Sequence, residues 1–279
     1  MRRIGLLGMG IIGRAWAQRY AGAGCLGGVW NRSPRPEVSG WLDSPEAVVR
    51  SASAVQIVVA DPPAVQGLLD RILPELKPGQ TLIQSSTIDP ESSERFEAQV
   101  RATGAAYVEA PFTGGAQAGL AGKTVFFLGG RPEEVDAVEP LLEVLSEVRF
   151  RAGTVRQAAS IKLAMNLNLA IQMAGFVESL TFARQAGLPD DLYFSVLSRN
   201  MGHSPLIDLK EEKLRKADFS PQFSVKHMAK DTRLASATGA GAALPVLASA
   251  RQCLEAAEAK GLGDEDYSAI IRLLGGPAL

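Results

Sequence analysis

Short apolar runs alternate with helical patterns through the first half of the chain. The runs have the length of buried strands and cover residues 4–7, 28–30, 54–60, 81–85, 106–109, 124–128 and 148–150. Helical spacing lies between them, over residues 11–22, 44–52, 63–73, 90–102 and 132–145. Pro45 and Pro132 stand at the first position of two of these helices, where a missing N–H costs nothing. This alternation favours a mostly parallel, doubly wound sheet.

The pattern changes at about residue 155. From there apolar residues recur every three or four positions, which predicts helices over 160–186, 190–198, 206–216, 224–237, 245–260 and 265–274. The first of them would span about 40 Å and could link two lobes. We therefore predict an α/β chain with two domains, a doubly wound domain over residues 1–153 and an all-helical domain over residues 154–279.

Length and composition agree with two ordinary globular domains. The chain has 279 residues, of which 46% are hydrophobic and 21% charged, and about 150 residues per domain is typical. Its 29 basic and 30 acidic residues give a net charge of -1, so no global field attracts nucleic acid or an anionic membrane. We expect neither as a partner.

Cysteine usage and hydropathy bear on the compartment. Cys25 and Cys253 are the only cysteines and have no metal-ligand spacing, so neither a disulfide framework nor a zinc site is expected. No apolar run approaches the roughly 18 residues of a membrane span, and no cleavage site follows Arg2 and Arg3. These features predict a soluble, cytoplasmic protein.

A glycine-rich motif directly follows the first strand and opens the first helix. It consists of Gly8, Met9, Gly10, Ile11, Ile12 and Gly13. Glycines at this spacing allow a tight turn and a close approach to a pyrophosphate, which the helix N-terminus attracts. A turn with a purely conformational role is the alternative. The context favours a dinucleotide site in a Rossmann-type domain.

The end of the second strand bears on the choice of cofactor. Asn31, Arg32 and Ser33 stand where an NAD-specific site would place a carboxylate for the ribose hydroxyl. Arg binds phosphate through two nitrogens, and Asn and Ser donate hydrogen bonds. We therefore expect NADP(H) to be preferred over NAD(H), although an arginine at a strand end is usually a solvated surface residue.

Loops after the third and fourth strands should line the same crevice, because ligands of open α/β sheets bind at the carboxyl ends of strands. Ala60 and Asp61 follow the third strand, and Thr87 follows the fourth. We interpret all three as cofactor-binding residues. Helix capping explains these loops equally well.

The loop after the fifth strand could hold an anion. Thr113 supplies a hydroxyl, and Gly114 and Gly115 supply exposed backbone N–H groups, which together suit a substrate carboxylate. A flexible loop is the plainer interpretation, since Gly-Gly is common in turns.

Lys162 and Asn166 are four residues apart on the long predicted helix and project from one face. Most helix lysines are solvated, but this one lies just past the domain boundary among apolar neighbours. Burial would lower its pKa toward the working pH and make it a proton donor. His203 and His227 have neither ligand spacing nor a paired nucleophile, so no metal site is expected.

These motifs together resemble the β-hydroxyacid dehydrogenase family, which includes 3-hydroxyisobutyrate dehydrogenases and glyoxylate/succinic semialdehyde reductases. The family's loop Asp-Ala-Pro-Val-Ser-Gly-Gly is similar to Glu109–Gly115, and its catalytic lysine and later asparagine match Lys162 and Asn166. Its late Lys-Asp motif matches Lys230 and the residue after it, and Asn31 begins a segment similar to that of its NADPH-preferring members. The resemblance extends from Gly8 to about Ala235.

Two departures concern the region around the lysine. The family usually carries Gly-x-Gly at positions 156 and 158, where this chain has Arg156 and Ala158, and Met165 replaces the first of two asparagines. Arg156 could clash with a carboxylated substrate or bind it, which affects substrate identity more than the type of reaction.

The resemblance implies hydride transfer between NADP(H) and a small hydroxyacid or aldehyde acid. Lys162 would be the catalytic proton donor, Asn166 would bind substrate, and Thr87, Phe223 and Lys230 would line the cofactor. An imine reductase of the same architecture and a non-catalytic NADPH-binding sensor are the alternatives. The alanine-rich stretch from residue 235 to 250 predicts a homodimer or homotetramer.

Overall fold

The computed structural model of the protein describes residues 2–239 and 242–275. Contacts between α-carbons divide the chain between Leu163 and Ala164 into two units. Some predicted positions lie outside the described residues: residue 1, residues 240–241 of the alanine-rich stretch, and residues 276–279 of the helical domain.

The first unit is built on one sheet. Its described strands are β1 (Ile4–Leu7), β2 (Leu26–Trp30), β3 (Ala54–Ile57), β4 (Thr81–Gln84), β5 (Ala106–Glu109), β6 (Phe112–Thr113), β7 (Val125–Gly129) and β8 (Val148–Gly153). They lie in the order β2-β1-β3-β4-β5-β7-β6, and β8 pairs with β7. Strands β1 to β5 are parallel, whereas β7 runs antiparallel to β5 and β6. The prediction of a mostly parallel sheet is confirmed.

Six described helices lie wholly within this unit, and four of the six begin with a proline. They are α1 (Ile11–Gly22), α2 (Pro45–Arg50), α3 (Pro62–Ile72), α4 (Pro90–Arg101), α5 (Ala116–Ala121) and α6 (Pro132–Leu142). Ser44 caps α2 by accepting a hydrogen bond from the Ala47 amide at 3.1 Å, and Asp89 caps α4 by accepting from the Ser92 amide at 2.7 Å. Such caps satisfy amides that the helix itself leaves open.

Both faces of the sheet are buried, which explains the near-continuous apolar strands. Alternate residues of a strand pack into two different clusters, as the two-residue period of a strand requires. On β5, Val108 packs with Trp16 and the residues of one face, whereas Tyr107 packs with Phe96 and those of the other. The side chains that form each cluster are buried.

Two short elements were not expected from the sequence. Strand β6 and helix α5 flank Gly114 and Gly115, in a segment for which the sequence predicts a loop. Elements of two and six residues are too short to produce a recognisable hydrophobic period. The helix predicted from residue 160 also begins earlier, at Val155.

The described part of the second unit is helical, as predicted. Helix α7 (Val155–Gln185) begins in the first unit and continues into the second, followed by α8 (Asp190–Leu197), α9 (Pro205–Arg215), α10 (Val225–Thr238), α11 (Pro245–Ala259) and a 3-10 helix (Tyr267–Leu273). Its core includes Met173, Leu180 and Met228, all fully buried. Over the described residues, none of the helices is both long enough and apolar enough to cross a membrane.

Candidate active site

The three motif glycines are needed for different reasons. Gly8 has a φ of 111°, and a Cβ there would overlap with the Val58 carbonyl oxygen. A Cβ on Gly13 would overlap with the Gly8 carbonyl oxygen, so both positions are fixed by packing of the loop itself. A Cβ on Gly10 would meet nothing within 4 Å. Packing within the chain therefore does not explain Gly10, and the space beside its backbone is open.

Met9 and Gly10 lead into α1, whose first residues are Ile11, Ile12 and Gly13. Met9 is buried, whereas Gly10 and Ile11 are exposed and Ile12 is half-buried. Gly10 is the residue before the helix, and no side chain caps its amides. The exposed amino end of α1 can receive an anion, as the sequence predicts for a dinucleotide.

Asn31 ties the end of β2 to the glycine-rich loop. Its Oδ1 accepts a hydrogen bond from the Met9 amide at 3.0 Å, and its Nδ2 donates to the Ser33 carbonyl oxygen at 2.9 Å. Arg32 and Ser33 are exposed beside it. The amide of Asn31 thus holds two segments together, and the side chains of Arg32 and Ser33 face solvent at the end of β2.

The loops after β3 and β4 are tied to each other. Asp61 accepts a hydrogen bond from the Ala64 amide at 2.8 Å and caps α3, which is the capping role considered from the sequence. The Oγ of Ser86 accepts from the Val59 amide at 2.8 Å. Ala60 is exposed and Thr87 half-buried, and both stand at the carboxyl ends of parallel strands, where cofactors of such sheets bind.

The segment after β5 turns back on β7. Thr113 pairs with Val125, and the following Gly114 has a φ of 117°, which favours glycine. Gly114 and Gly115 are exposed, and a Cβ on Gly115 would meet nothing within 4 Å. Open space therefore lies next to the predicted carboxylate-binding segment.

Lys162 is buried, with 8% of its surface exposed. Its ammonium nitrogen lies over the ring of Phe112, 5.8 Å from the ring centroid. The Phe112 ring packs edge-on against Trp16 at 4.7 Å between centroids. Lys162 is therefore not the solvated surface lysine that its residue type alone would favour.

Arg156 is engaged by helix α4. Its guanidinium forms ion pairs with Glu91 at 2.8 Å and with Glu94 at 3.0 Å. These two carboxylates compensate the positive charge of Arg156, the residue that from the sequence could clash with a carboxylated substrate or bind it.

In the second unit, Asn166 and Asp231 form a buried pair. The Nδ2 of Asn166 donates a hydrogen bond to Oδ2 of Asp231, and the two residues are 3% and 1% exposed. Because a carboxylate only accepts, the atom of Asn166 that faces it is the amide nitrogen. Lys230 forms an ion pair with the other Asp231 oxygen at 2.7 Å. Asp231 is thus buried and Lys230 half-buried, so the Lys-Asp motif is not a surface charge pattern.

Phe223 lies near His227 in the same unit. Their rings are stacked at 6.0 Å, and the Nδ1 of His227 hydrogen-bonds with Ser224 Oγ at 2.7 Å. Burial, together with the neighbouring charges of Lys230 and Lys226, lowers the pKa of His227 below its ordinary value. Over the part of the chain that the structure describes, His, Cys, Asp and Glu residues form no cluster that could hold a metal ion.

A buried carboxyl group at the end of β5 was not singled out from the sequence. Glu109 is fully buried and accepts hydrogen bonds from Gln84 at 2.9 Å, Ser93 at 2.6 Å and Tyr107 at 2.8 Å. Burial raises its pKa to about 8, against the opposing effect of these hydrogen bonds. Gln84 also bonds to the backbone N–H and C=O of Ser86. Glu109 therefore helps to fix the loop after β4.

Known protein families match nearly the whole chain. Residues 3–154 match the family model described as the NAD binding domain of 6-phosphogluconate dehydrogenase. Residues 157–274 match the model described as NAD-binding of NADP-dependent 3-hydroxyisobutyrate dehydrogenase. The two matches are adjacent and cover both units.

Individual proteins are similar over the same span. The chain is 30% identical to the chloroplastic glyoxylate/succinic semialdehyde reductase 2 of Arabidopsis thaliana, over 97% of this chain and 79% of that protein. It is 26% identical to Psf3, solved in complex with NADP+ and 2-OPP, with a TM-score of 0.89 over 98% of this chain and 100% of that one.

A solved 3-hydroxyisobutyrate dehydrogenase of Mycobacterium tuberculosis has the same fold. It is 24% identical, with a TM-score of 0.88 over 98% of this chain and 99% of that one. With the two family models and the Arabidopsis relative, the conclusion is that the chain belongs to the β-hydroxyacid dehydrogenase family, the NAD(P)-dependent oxidoreductases that act on CH–OH donors.

Proposed function

We propose that this enzyme is an NADP(H)-dependent reductase of small aldehyde acids, with Lys162 as its proton donor. The observation that carries the proposal lies on α7. There a buried lysine stands one turn before Asn166, whose amide nitrogen is held by the buried Asp231. A lysine buried in this way is suited to proton transfer, unlike a solvated surface lysine.

The residues around Gly10 fit a dinucleotide. A side chain at Gly10 would occupy the open space next to the exposed amino end of α1, where a pyrophosphate would lie. Asn31 holds the loop in position through the Met9 amide. A bound nicotinamide cofactor would supply the hydride, and the protein would supply binding, orientation and the proton.

The preference for the phosphorylated cofactor is proposed from the end of β2. Arg32 and Ser33 are exposed there, and no carboxylate stands at residues 31–33. A guanidinium and a hydroxyl bind a 2′-phosphate, whereas an NAD-specific site uses an acidic residue.

Two groups of residues would act on the substrate. Thr113, Gly114 and Gly115 would hold its carboxylate, since they offer a hydroxyl and exposed backbone N–H groups. Lys162 would transfer a proton from Nζ to the carbonyl oxygen, which would receive the C=O electron pair when the carbonyl carbon accepts a hydride. Asn166 would orient the reacting oxygen, and orientation lowers the barrier further.

The test is the loss of NADPH absorbance with glyoxylate, succinic semialdehyde, tartronate semialdehyde and methylmalonate semialdehyde. We expect NADPH oxidation with at least one of them and slower oxidation of NADH. Lys216→Ala changes an exposed lysine instead of the buried Lys162. This control variant should react like the unchanged protein. Silence with every aldehyde acid while NADPH still binds would contradict the proposal and favour imine reduction or a sensor.

The cofactor preference has its own variant. Arg32→Ala should raise the KM for NADPH roughly tenfold to hundredfold, the range expected when one charged hydrogen-bonding partner is lost. The KM for NADH should stay unchanged. Arg35→Ala is the matched control, because Arg35 is an exposed arginine of the same segment. Equal effects of Arg32→Ala on both cofactors would contradict recognition of a 2′-phosphate by this residue.

A further inference from the structure

The face of one aromatic ring lies beneath the buried Lys162 ammonium. Phe112 stands on β6, immediately before Thr113, and its ring centroid is 5.8 Å from Lys162 Nζ. A cation within about 6 Å of a ring face is attracted by the ring, and this attraction grows as water is excluded. Only 8% of the Lys162 surface is exposed, so little water weakens this attraction.

We propose that Phe112 is a positioning residue for Lys162, and that its ring face holds the ammonium group beside the segment Thr113–Gly115. The inference rests on the proposed function, in which Lys162 donates a proton to a substrate held by that segment. It assigns to Phe112 a role that a purely apolar side chain could not fill.

The Phe112 ring is itself held by two fully buried rings. Trp16 packs edge-on against it at 4.7 Å, and Phe126, its partner across the strand pair, lies at 6.2 Å between centroids. The Trp16 indole N–H donates to Thr124 Oγ1 at 3.1 Å, which fixes the indole. A ring supported in this way can hold a cation in place, because few of its own rotamers remain open.

Lysine needs such a support more than most catalytic groups do. Its ammonium is a point charge on a flexible four-carbon stem, and several rotamers are lost when it is fixed. An error of about 1 Å in the placement of a catalytic group can cost a hundredfold in rate. The ring face attracts only the charged amine, so it favours the form that can donate a proton.

This position departs from the family's loop, which usually has valine before the hydroxyl residue, where this chain has Phe112 and Thr113. Valine has no ring face. The role we assign to Phe112 is therefore a feature of this chain and separates it from relatives with the usual loop.

The test compares Phe112→Leu with Phe112→Tyr. Leucine fills space without a ring face, whereas tyrosine keeps one. With the best aldehyde acid, we expect kcat of Phe112→Leu to fall about tenfold, equivalent to about 1.4 kcal/mol, with the KM for NADPH unchanged. Phe112→Tyr should restore kcat to within about twofold of the unchanged protein.

A second readout does not depend on turnover. Formaldehyde with a borane reductant methylates only neutral amines, and peptide mass spectrometry reports the rate at Lys162. We expect faster methylation in Phe112→Leu and the original rate in Phe112→Tyr. Phe126→Leu is the control, because it loosens the same group of rings but leaves the ring beneath Lys162. A loss of kcat that came from loosening alone would be equal in Phe126→Leu and Phe112→Leu. Equal losses in the two variants would overturn the inference.

The outcomes separate this inference from the proposed function. If Lys162→Ala is inactive while Phe112→Leu matches the unchanged protein in kcat and methylation rate, the role of Phe112 is overturned and the proposed function stands. If Lys162→Ala keeps full activity, the proposed function fails, and methylation decides alone. A faster rate in Phe112→Leu that Phe112→Tyr restores supports the ring as the group that holds Lys162, and equal rates in all variants overturn it.

Discussion

Two buried carboxyl groups, one in each unit, are held in opposite ways. Glu109 and Asp266 are both 0% exposed. Both oxygens of Asp266 accept hydrogen bonds from the Lys210 ammonium at 2.8 Å. Within the described residues, Glu109 hydrogen-bonds only to the neutral side chains of Gln84, Ser93 and Tyr107.

The pKa values of the two groups are consequently shifted in opposite directions. Burial raises the pKa of Glu109 to about 8. Burial also pushes the pKa of Asp266 upward, but Lys210 and the donors of Ser268 hold it below its ordinary value. Burial disfavours a carboxylate in both cases, and a cation at contact distance reverses the result.

Each carboxyl group also fixes a segment of the proposed site. Glu109 acts through Gln84 on the backbone of Ser86. Asp266 accepts a hydrogen bond from the amide of Phe223 at 3.3 Å. The chain thus holds one site segment with a neutral acid and the other with an ion pair, so the two segments should respond differently to pH and to mutation.

The largest effect is expected from breaking the ion pair. Lys210→Met leaves Asp266 charged and buried, and the free energy of unfolding should fall by about 3–5 kcal/mol, as measured by urea denaturation of the full chain. Adding Asp266→Asn should recover part of that loss because the buried charge is then removed. If the single variant lost less than about 1 kcal/mol, Asp266 would not depend on Lys210.

The next effect is the pH response of Glu109. Its pKa of about 8 in the folded protein lies above the ordinary value of 4.5. The contribution of Glu109 to the free energy of unfolding is therefore complete below pH 4.5 and is lost as the pH rises through 8. The free energy of unfolding should therefore fall between these pH values by a few kcal/mol, on the order of 1.4 kcal/mol per unit. Thermal unfolding scans across this range measure it.

Glu109→Gln is the matched control for that response. The amide keeps a donor and an acceptor at the same place but does not titrate. It should flatten the dependence on pH between 4.5 and 8 while leaving stability at low pH within about 1 kcal/mol. The same slope in Glu109→Gln as in the unchanged protein would assign the response to other groups.

The smallest effect concerns one neutral donor. Tyr107→Phe removes the hydroxyl that lies 2.8 Å from Glu109 Oε2. We expect a loss of about 1 kcal/mol in the free energy of unfolding. That hydrogen bond lowers the pKa of Glu109, so its removal should also extend the pH response to higher pH. Unfolding scans that matched those of the unchanged protein at every pH would rule out this contribution.

The sequence predicted the architecture because the signals involved are local. The alternation of apolar runs and helical spacing placed every long element of the described chain, and the glycine motif was found where β1 meets α1. Proline at the start of α2 and α6 located those helices by their missing N–H. Such features need only a few neighbouring residues.

The polar contacts could not be found in this way. Gln84 and Glu109 are 25 residues apart, and Lys210 and Asp266 are 56 apart, so their pairing depends on the complete fold. Phe112 lies in the segment 109–115, which is similar to the family's loop, but its position beneath Lys162 requires the packing of β6 against Trp16 and Phe126. The Lys-Asp motif is visible in the sequence, whereas the burial of Asp231 depends on the complete fold.

In the proposed reaction Lys162 donates the proton, and turnover of Lys162→Ala with one aldehyde acid tests this role most directly. With the aldehyde acid that the unchanged protein reduces, kcat should fall about 10²–10⁴-fold, the typical contribution of a positioned acid. The affinity of Lys162→Ala for NADPH, measured by the fluorescence of NADPH, should be nearly unchanged. Turnover of Lys162→Ala equal to that of the unchanged protein would contradict the claim.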